Sequence, residues 1–349
     1  MLEGRHSPRI PPDDWSFLVS VRPSIRRASV FGVAVASLAL LAGCASTPAA
    51  EPEKTETEAP AATEVTITDN HGEMTVPVNP EVVVALDNTV MQTLSDWDIK
   101  LAAAPKGVMG TVWPEYTDNE DVLDIGNHRE PNLENVVAAA PELIIGGYRF
   151  ASHYDALKAI QPLTIETSPR EGKDHISELV RQTEILGQVF GREDDAAALV
   201  EALETAVSDA KTNYDGTATV AGLITSGGKI NYAAPGDGRG VGSLFTTLDL
   251  VPAIESEGST DHTGDEISVE AIAAANPEWL IVLDRDGAFQ EDGYIAAKEL
   301  IEGSEALKNV PAVQKGQIVY LDANFYLTEG IQAYTGLYAD VAEAFASAK

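Results

Sequence analysis

Hydrophobic and polar positions divide the chain into unlike stretches. An apolar run from Val30 to Leu41 is followed, at residues 45–63, by Ala, Pro, Thr and Glu with almost no bulky apolar side chain. Ordered patterning starts at Val65. Val82–Leu86 is a short β-branched run that suits a buried strand. Asn88–Trp97 and the Ala-rich Leu133–Ala140 read as helices, and Pro141-Glu142 then leads into the strand-like Leu143-Ile144-Ile145. Residues 174–190 and 193–213 are the longest helical stretches. In the second, Ala197, Leu199, Val200, Leu203, Ala206 and Val207 share one face. Gly191 separates the two, and Asn213-Tyr214-Asp215-Gly216 ends the second. Strand patterns return at Thr219–Thr225, Leu280–Leu283 and Ile318–Leu321. Such alternation builds parallel βαβ units.

Within this pattern lies a repeat. Residues 133–149, LENVVAAAPELIIGGYR, and 269–285, VEAIAAANPEWLIVLDR, agree at seven of seventeen positions with a constant offset of 136. Helix, Pro-Glu turn, buried strand and arginine recur in the same order. A duplicated unit on either side of a long helix predicts an α/β fold of two similar lobes. Each lobe has a parallel-rich central sheet flanked by helices, and one long α-helix joins them with a ligand cleft between. The expected divisions are an N-terminal lobe at 64–190, a connecting helix at 191–215 and a C-terminal lobe at 216–349. A helical connection permits only small tilts between lobes, so the cleft is expected to be largely formed before ligand arrives.

Arg22, Arg26 and Arg27 precede the Val30–Leu41 run, which is about half the ~20 residues that a bilayer span needs. Basic region, short apolar core and Leu41-Ala42-Gly43-Cys44 read as a secretory signal over residues 1–43. The ending resembles the lipobox of bacterial lipoproteins, which implies that Cys44 is acylated and becomes the mature N-terminus. Residues 44–63 are then a disordered tether that holds the folded body off the membrane. Prolines and Asp13-Asp14 are unusual before a signal's basic region, so translation is expected to start near Val19 or Val21. Cys44 is the sole cysteine, which excludes an internal disulfide and a thiolate metal cluster.

The formal net charge is −32. Removing residues 1–43 takes away five basic and three acidic groups, which leaves −34. Such a field disfavours nucleic acid and anionic membrane surfaces as partners. It also singles out arginines, of which the whole chain has twelve. Arg149 and Arg285 end the two repeats at the carboxyl ends of buried strands, where open α/β sheets bind ligands. Arg239 lies in Pro235-Gly236-Asp237-Gly238-Arg239-Gly240, a loop whose glycines allow close backbone approach to a ligand. Three guanidiniums in one cleft suit a compact trianion with planar oxygen donors. His262 lies in the polar loop 259–265, and Tyr326 lies just past the strand Ile318–Leu321. Imidazole and phenolate both accept ferric iron, although spacing alone makes neither a ligand.

The stretches VVVALDNTVMQTL, IGNHREPNLENVVAAAPELIIGGYRFASHYDAL, SGGKINYAAPGDGRGVGSLF, DHTGDEISVEAIAAANPEWLIVLDRD and KGQIVYLDANFYL together resemble the class III, helical-backbone solute-binding lipoproteins of ABC importers. The nearest group is the enterobactin- and bacillibactin-type catecholate siderophore binders, and the likeness runs from about Val65 to the C-terminus. It implies a ferric siderophore as transported ligand, surrounded by Arg149, Arg239 and Arg285. His262 and Tyr326 would complete iron coordination when the siderophore offers only four oxygens. It further implies that Glu134 and Glu270, paired by the repeat, dock onto the two permease subunits. Asn132 and Ser268 as N-caps also give these glutamates an ordinary place in a helix first turn. Asp261-His262-Thr263-Gly264 departs from the group's Thr-His-Gly, and Asn324-Phe325 replaces its usual Tyr-Trp. The expected protein is a monomer without intrinsic cofactor and without enzymatic activity. No HExxH helix, nucleophile elbow or Walker-type loop supports a metallohydrolase built on His262. Haem or a corrinoid stays open as cargo on the same fold.

Overall fold

The computed structural model describes residues 63–349, so the signal segment, Cys44 and nearly all of the tether lie outside the described residues. Val83–Ala85 is the centre of a five-stranded, all-parallel sheet. Its order is Leu123–Asp124, Leu101–Ala104, Val83–Ala85, Leu143–Gly146, Thr164–Glu166. Both faces are covered, which explains the unbroken apolar runs. Val83, Ala85, Leu143 and Ile145 face one hydrophobic cluster, while Val84 and Ile144 face another. The second sheet repeats this design. Thr219–Ser226, Trp279–Asp284 and Ile318–Tyr320 run parallel, Lys229–Tyr232 adds an antiparallel edge, and Val251–Pro252 pairs with the start of Thr219–Ser226. Ile281 and Leu283 point into one cluster, and Leu280 and Val282 into the other.

The repeated motif has a repeated mechanism. Asn132 Oδ1 and Ser268 Oγ accept from the backbone N–H of Asn135 and Ala271 at 3.2 and 3.1 Å, which starts the two short helices Leu133–Ala139 and Val269–Ala275. Each helix ends on a left-handed residue, Ala140 (φ 48°) or Asn276 (φ 53°), and the proline that follows cannot continue it. The glutamate after the proline turns back to the neighbouring strand. Glu142 Oε2 accepts from Glu81 N at 2.6 Å, and Glu278 Oε2 accepts from Thr219 N at 3.2 Å. The Pro-Glu pair therefore ends a helix and pins the adjacent strand in both lobes.

The lobes are joined by helices that belong to both cores. His175–Phe190 begins with Leu179 in a C-terminal-lobe cluster and ends with Ile185, Leu186, Val189 and Phe190 in an N-terminal-lobe cluster. Glu193–Asn213 returns, from Ala196 among N-terminal-lobe residues to Leu203, Ala206 and Ala210 among C-terminal-lobe ones. Gly187 permits the close crossing, because a Cβ there would lie 2.7 Å from Ala196 Cβ. The C-terminal helix Ile331–Ser347 packs along Glu193–Asn213. Its start and the turn before it also touch the N-terminal lobe: Gln332 Nε2 donates to Asp96 Oδ2 at 3.0 Å, and Asn88 Nδ2 donates to Leu327 O, ahead of the helix, at 2.7 Å. A Cβ on Gly330 would sit 2.2 Å from Thr89 O. The two lobes thus meet backbone to backbone at this point.

Candidate functional site

At the end of Leu143–Gly146 the chain makes an unusual turn. Gly147 (φ 106°) and Tyr148 (φ 49°) both take positive φ, and a Cβ on Gly147 would lie 2.9 Å from Ser168 Oγ. The turn aims Arg149 at the opposite lobe. Its Nε donates to Asn88 Oδ1 at 3.1 Å, its Nη2 to Tyr326 O at 2.9 Å and its Nη1 to Tyr326 Oη at 3.4 Å. Arg285, directly after Trp279–Asp284, is held within its own lobe. Its Nη1 donates to Asp286 Oδ1 at 2.7 Å and to Ser226 Oγ at 3.5 Å. Its Nε is buried without a hydrogen-bond partner among the described residues.

Arg239 reaches the same place from the glycine-rich loop. The glycines serve the loop's own packing more than approach to a ligand. A Cβ on Gly238 would lie 2.5 Å from the backbone of Ala233 and Ala234, and one on Gly242 would lie 2.6 Å from Ala234 O. Arg239 grips a residue that the sequence reading missed. Its Nε donates to Glu329 Oε1 at 2.7 Å and its Nη2 to Glu329 Oε2. Arg149 Nη2 lies 3.5 Å from Glu329 Oε2, and Tyr148 Oη donates to that oxygen at 2.9 Å. Glu329 is 4 % exposed. It shares a positive φ (41°) with Tyr148, so two strained non-glycine residues meet in one hydrogen bond.

The Tyr326 ring is the hub. The guanidinium carbons of Arg149, Arg239 and Arg285 lie 4.7, 4.6 and 5.0 Å from its centroid. Burial opposes ionisation of the phenol, but Arg149, Arg239 and Arg285 outweigh it and bring its pKa below the ordinary value. Burial and then the nearby Arg285 lower the pKa of His262, with Asp261 opposing. His262 Nδ1 is 3.9 Å from Asp261 Oδ1, which offsets part of that lowering. Above these groups opens a cavity of about 610 Å³ between the lobes, lined by all three arginines, His262 and Tyr326. His128, Arg129 and Phe289, which the sequence reading did not single out, also line it, as does Asp261 beside His262. A larger open groove, about 910 Å³ beside Lys229–Asn231 and Leu300–Ser304, has no converging cations. The arginine cavity is therefore the candidate site. Glu134 and Glu270 lie elsewhere, exposed on the first turns of the two repeated helices.

The charge in this cavity departs from the expected trio of bare cations. Glu329 is an internal counter-ion for two of the arginines and Asp286 for the third.

Residues 83–325 match the family described as periplasmic binding protein. The chain belongs to this family. Petrobactin-binding protein YclQ of Bacillus subtilis is 28% identical to this binding protein over 263 residues, covering 73% of this chain and 79% of YclQ. Ferric-anguibactin-binding protein FatB of Vibrio anguillarum is 25% identical over 309 residues, covering 86% of this chain and 93% of FatB. The crystal structure of the catecholate-siderophore binding protein VctP from Vibrio cholerae superposes with a TM-score of 0.70 at 24% identity. It covers 80% of this chain and 99% of VctP, a likeness of fold.

Proposed function

We propose that this binding protein captures a ferric siderophore, of catecholate type, outside the cytoplasm and hands it to an ABC permease. The observation that carries the reading is the convergence of Arg149, Arg239 and Arg285 on one ring inside a cavity between lobes. Planar, charge-delocalised cations around an aromatic floor suit a compact anionic complex with catecholate rings. The names of YclQ and FatB, each a binder of a siderophore or its ferric complex, support the same cargo class. His262 and Tyr326 supply an imidazole and a phenol, each with its pKa lowered, at the cavity wall, which fits them to fill iron positions that a four-oxygen siderophore leaves open. Acylated Cys44 tethers the protein, Glu134 and Glu270 dock one lobe each onto the permease, and the protein works as a monomer. The site binds and releases its cargo without chemical turnover.

Titration of intrinsic fluorescence with an iron(III) catecholate complex tests this. Quenching with submicromolar affinity is expected. Tight binding of haem or cobalamin, with no response to ferric catecholates, would overturn the cargo assignment.

A further inference from the structure

Resting on that reading, we propose that Glu329 is the specificity-determining residue that sets the charge of ferric complex the cavity accepts, favouring complexes of lower negative charge over trianions. Four guanidiniums, those of Arg129, Arg149, Arg239 and Arg285, line the cavity. Three carboxylates stand against them. Asp261 lies in the wall, Asp286 pairs with Arg285 at 2.7 Å, and Glu329 pairs with Arg239 and Arg149.

The three carboxylates are not equivalent. Asp261 and Asp286 have side chains 52 % and 29 % exposed, so water screens them. Glu329 is buried beneath the cavity, is bound on both oxygens, and is held by Tyr148 from the opposite lobe. An arriving anion cannot push it into solvent without breaking those contacts. Glu329 therefore stays as a fixed negative charge directly behind the two arginines that face the ligand. It orients their guanidiniums and cancels part of their field. Iron(III) with two catecholates is a monoanion, whereas iron(III) with three is a trianion. A site with this built-in carboxylate matches the former and pays a repulsive cost for each extra charge of the latter.

The test separates charge from shape. One tris-catecholate ligand forms similarly shaped octahedral complexes with gallium(III), a trianion, and with titanium(IV), a dianion. Both are titrated against the wild-type protein and Glu329→Gln, alongside the iron(III) complex of a tetradentate bis-catecholate. The wild type is expected to hold the dianion at least as tightly as the trianion. Glu329→Gln, with folding checked by thermal melting, should move that ratio toward the trianion by about tenfold, the effect of one unit charge across several partly screened ångströms. Glu329→Asp, which keeps the charge, should leave the ratio near that of the wild type. An unchanged ratio in folded Glu329→Gln overturns the proposal while ferric-complex binding stands. Should Glu329→Gln fail to fold, the wild type decides alone, and a tenfold preference for the trianion overturns the proposal. Binding of none of the three complexes by the wild type overturns the functional reading, and the charge assignment falls with it.

Discussion

Arg149 and Arg285 occupy the same position of the same repeat, yet the two lobes treat them differently. Arg149 has a side chain 11 % exposed and is bound to Asn88, Tyr326 and Glu329, so it crosses from one lobe into the other. Arg285, 23 % exposed, leans on Asp286 and Ser226 beside it and keeps a donor unused among the described residues. The lobes also differ in their buried carboxylates. The N-terminal lobe and the helix His175–Phe190 bury Asp69, Asp87, Glu166 and Glu178, whereas among the described residues of the C-terminal lobe the only carboxylate buried is Glu329, and it is the counter-ion beneath the site. Duplication supplied equivalent positions, and each lobe's later packing decided whether its arginine became part of the frame or stayed available to a ligand.

Four substitutions probe this contrast, from the largest expected effect to the smallest. Gly330→Ala forces a methyl group against Thr89 O, a backbone atom of the other lobe. It should cost more than about 3 kcal/mol in denaturant unfolding, and a neutral result would show that the lobes are not in rigid contact there. Arg149→Ala should cost about 2–3 kcal/mol, because it opens a buried ion pair and strips one partner from Glu329.

Asp87→Asn tests the buried carboxylates of the N-terminal lobe. Burial pushes the Asp87 carboxyl up to about 7, against the opposing hydrogen bonds from Thr89. Between its ordinary value of 3.8 and 7 the native state therefore holds a proton that the unfolded chain releases, so stability falls as pH rises from about 4 to 7. Hydrogen bonding from Arg170 holds Glu178 down to about 2, so its contribution is complete above its ordinary value of 4.5 and is lost as pH falls toward 2. Unfolding midpoints against pH should peak between these limits, and Asp87→Asn should flatten the alkaline arm by on the order of 1–3 kcal/mol. Retention of the full slope in the variant would remove Asp87 as its source.

Arg285→Ala should cost under about 1 kcal/mol of stability, yet it should weaken binding of an anionic ferric complex at least about tenfold. Equal stability losses for Arg149→Ala and Arg285→Ala would erase the distinction between frame and ligand group.

Much of this frame was legible before the structure. Short β-branched runs bounded by turns located the parallel strands, and the seven matched positions located both arginines. What escaped were residues whose role depends on contacts between distant parts of the chain. Glu329 sits in Thr328-Glu329-Gly330 with no periodicity to mark it, and its partners Tyr148 and Arg239 lie 181 and 90 residues away. The one local hint is a charged residue wedged between apolar Leu327 and Ile331. Helical periodicity in His175–Phe190 reveals an apolar face but not which core that face enters, and the helix contributes to both. The glycine loop brings Arg239 to the cavity for a partly different reason than ligand approach, since chain-to-chain and chain-to-ligand approach place the same demand on sequence.

The meeting of Gly330 and Thr89 bears on how the protein can report its state. A body whose halves are welded at the backbone and strapped by two helices has little outline to change when it fills. Full and empty copies then differ chiefly in the electrical landscape at the cavity mouth, and a partner that must tell them apart has to sense potential there rather than posture.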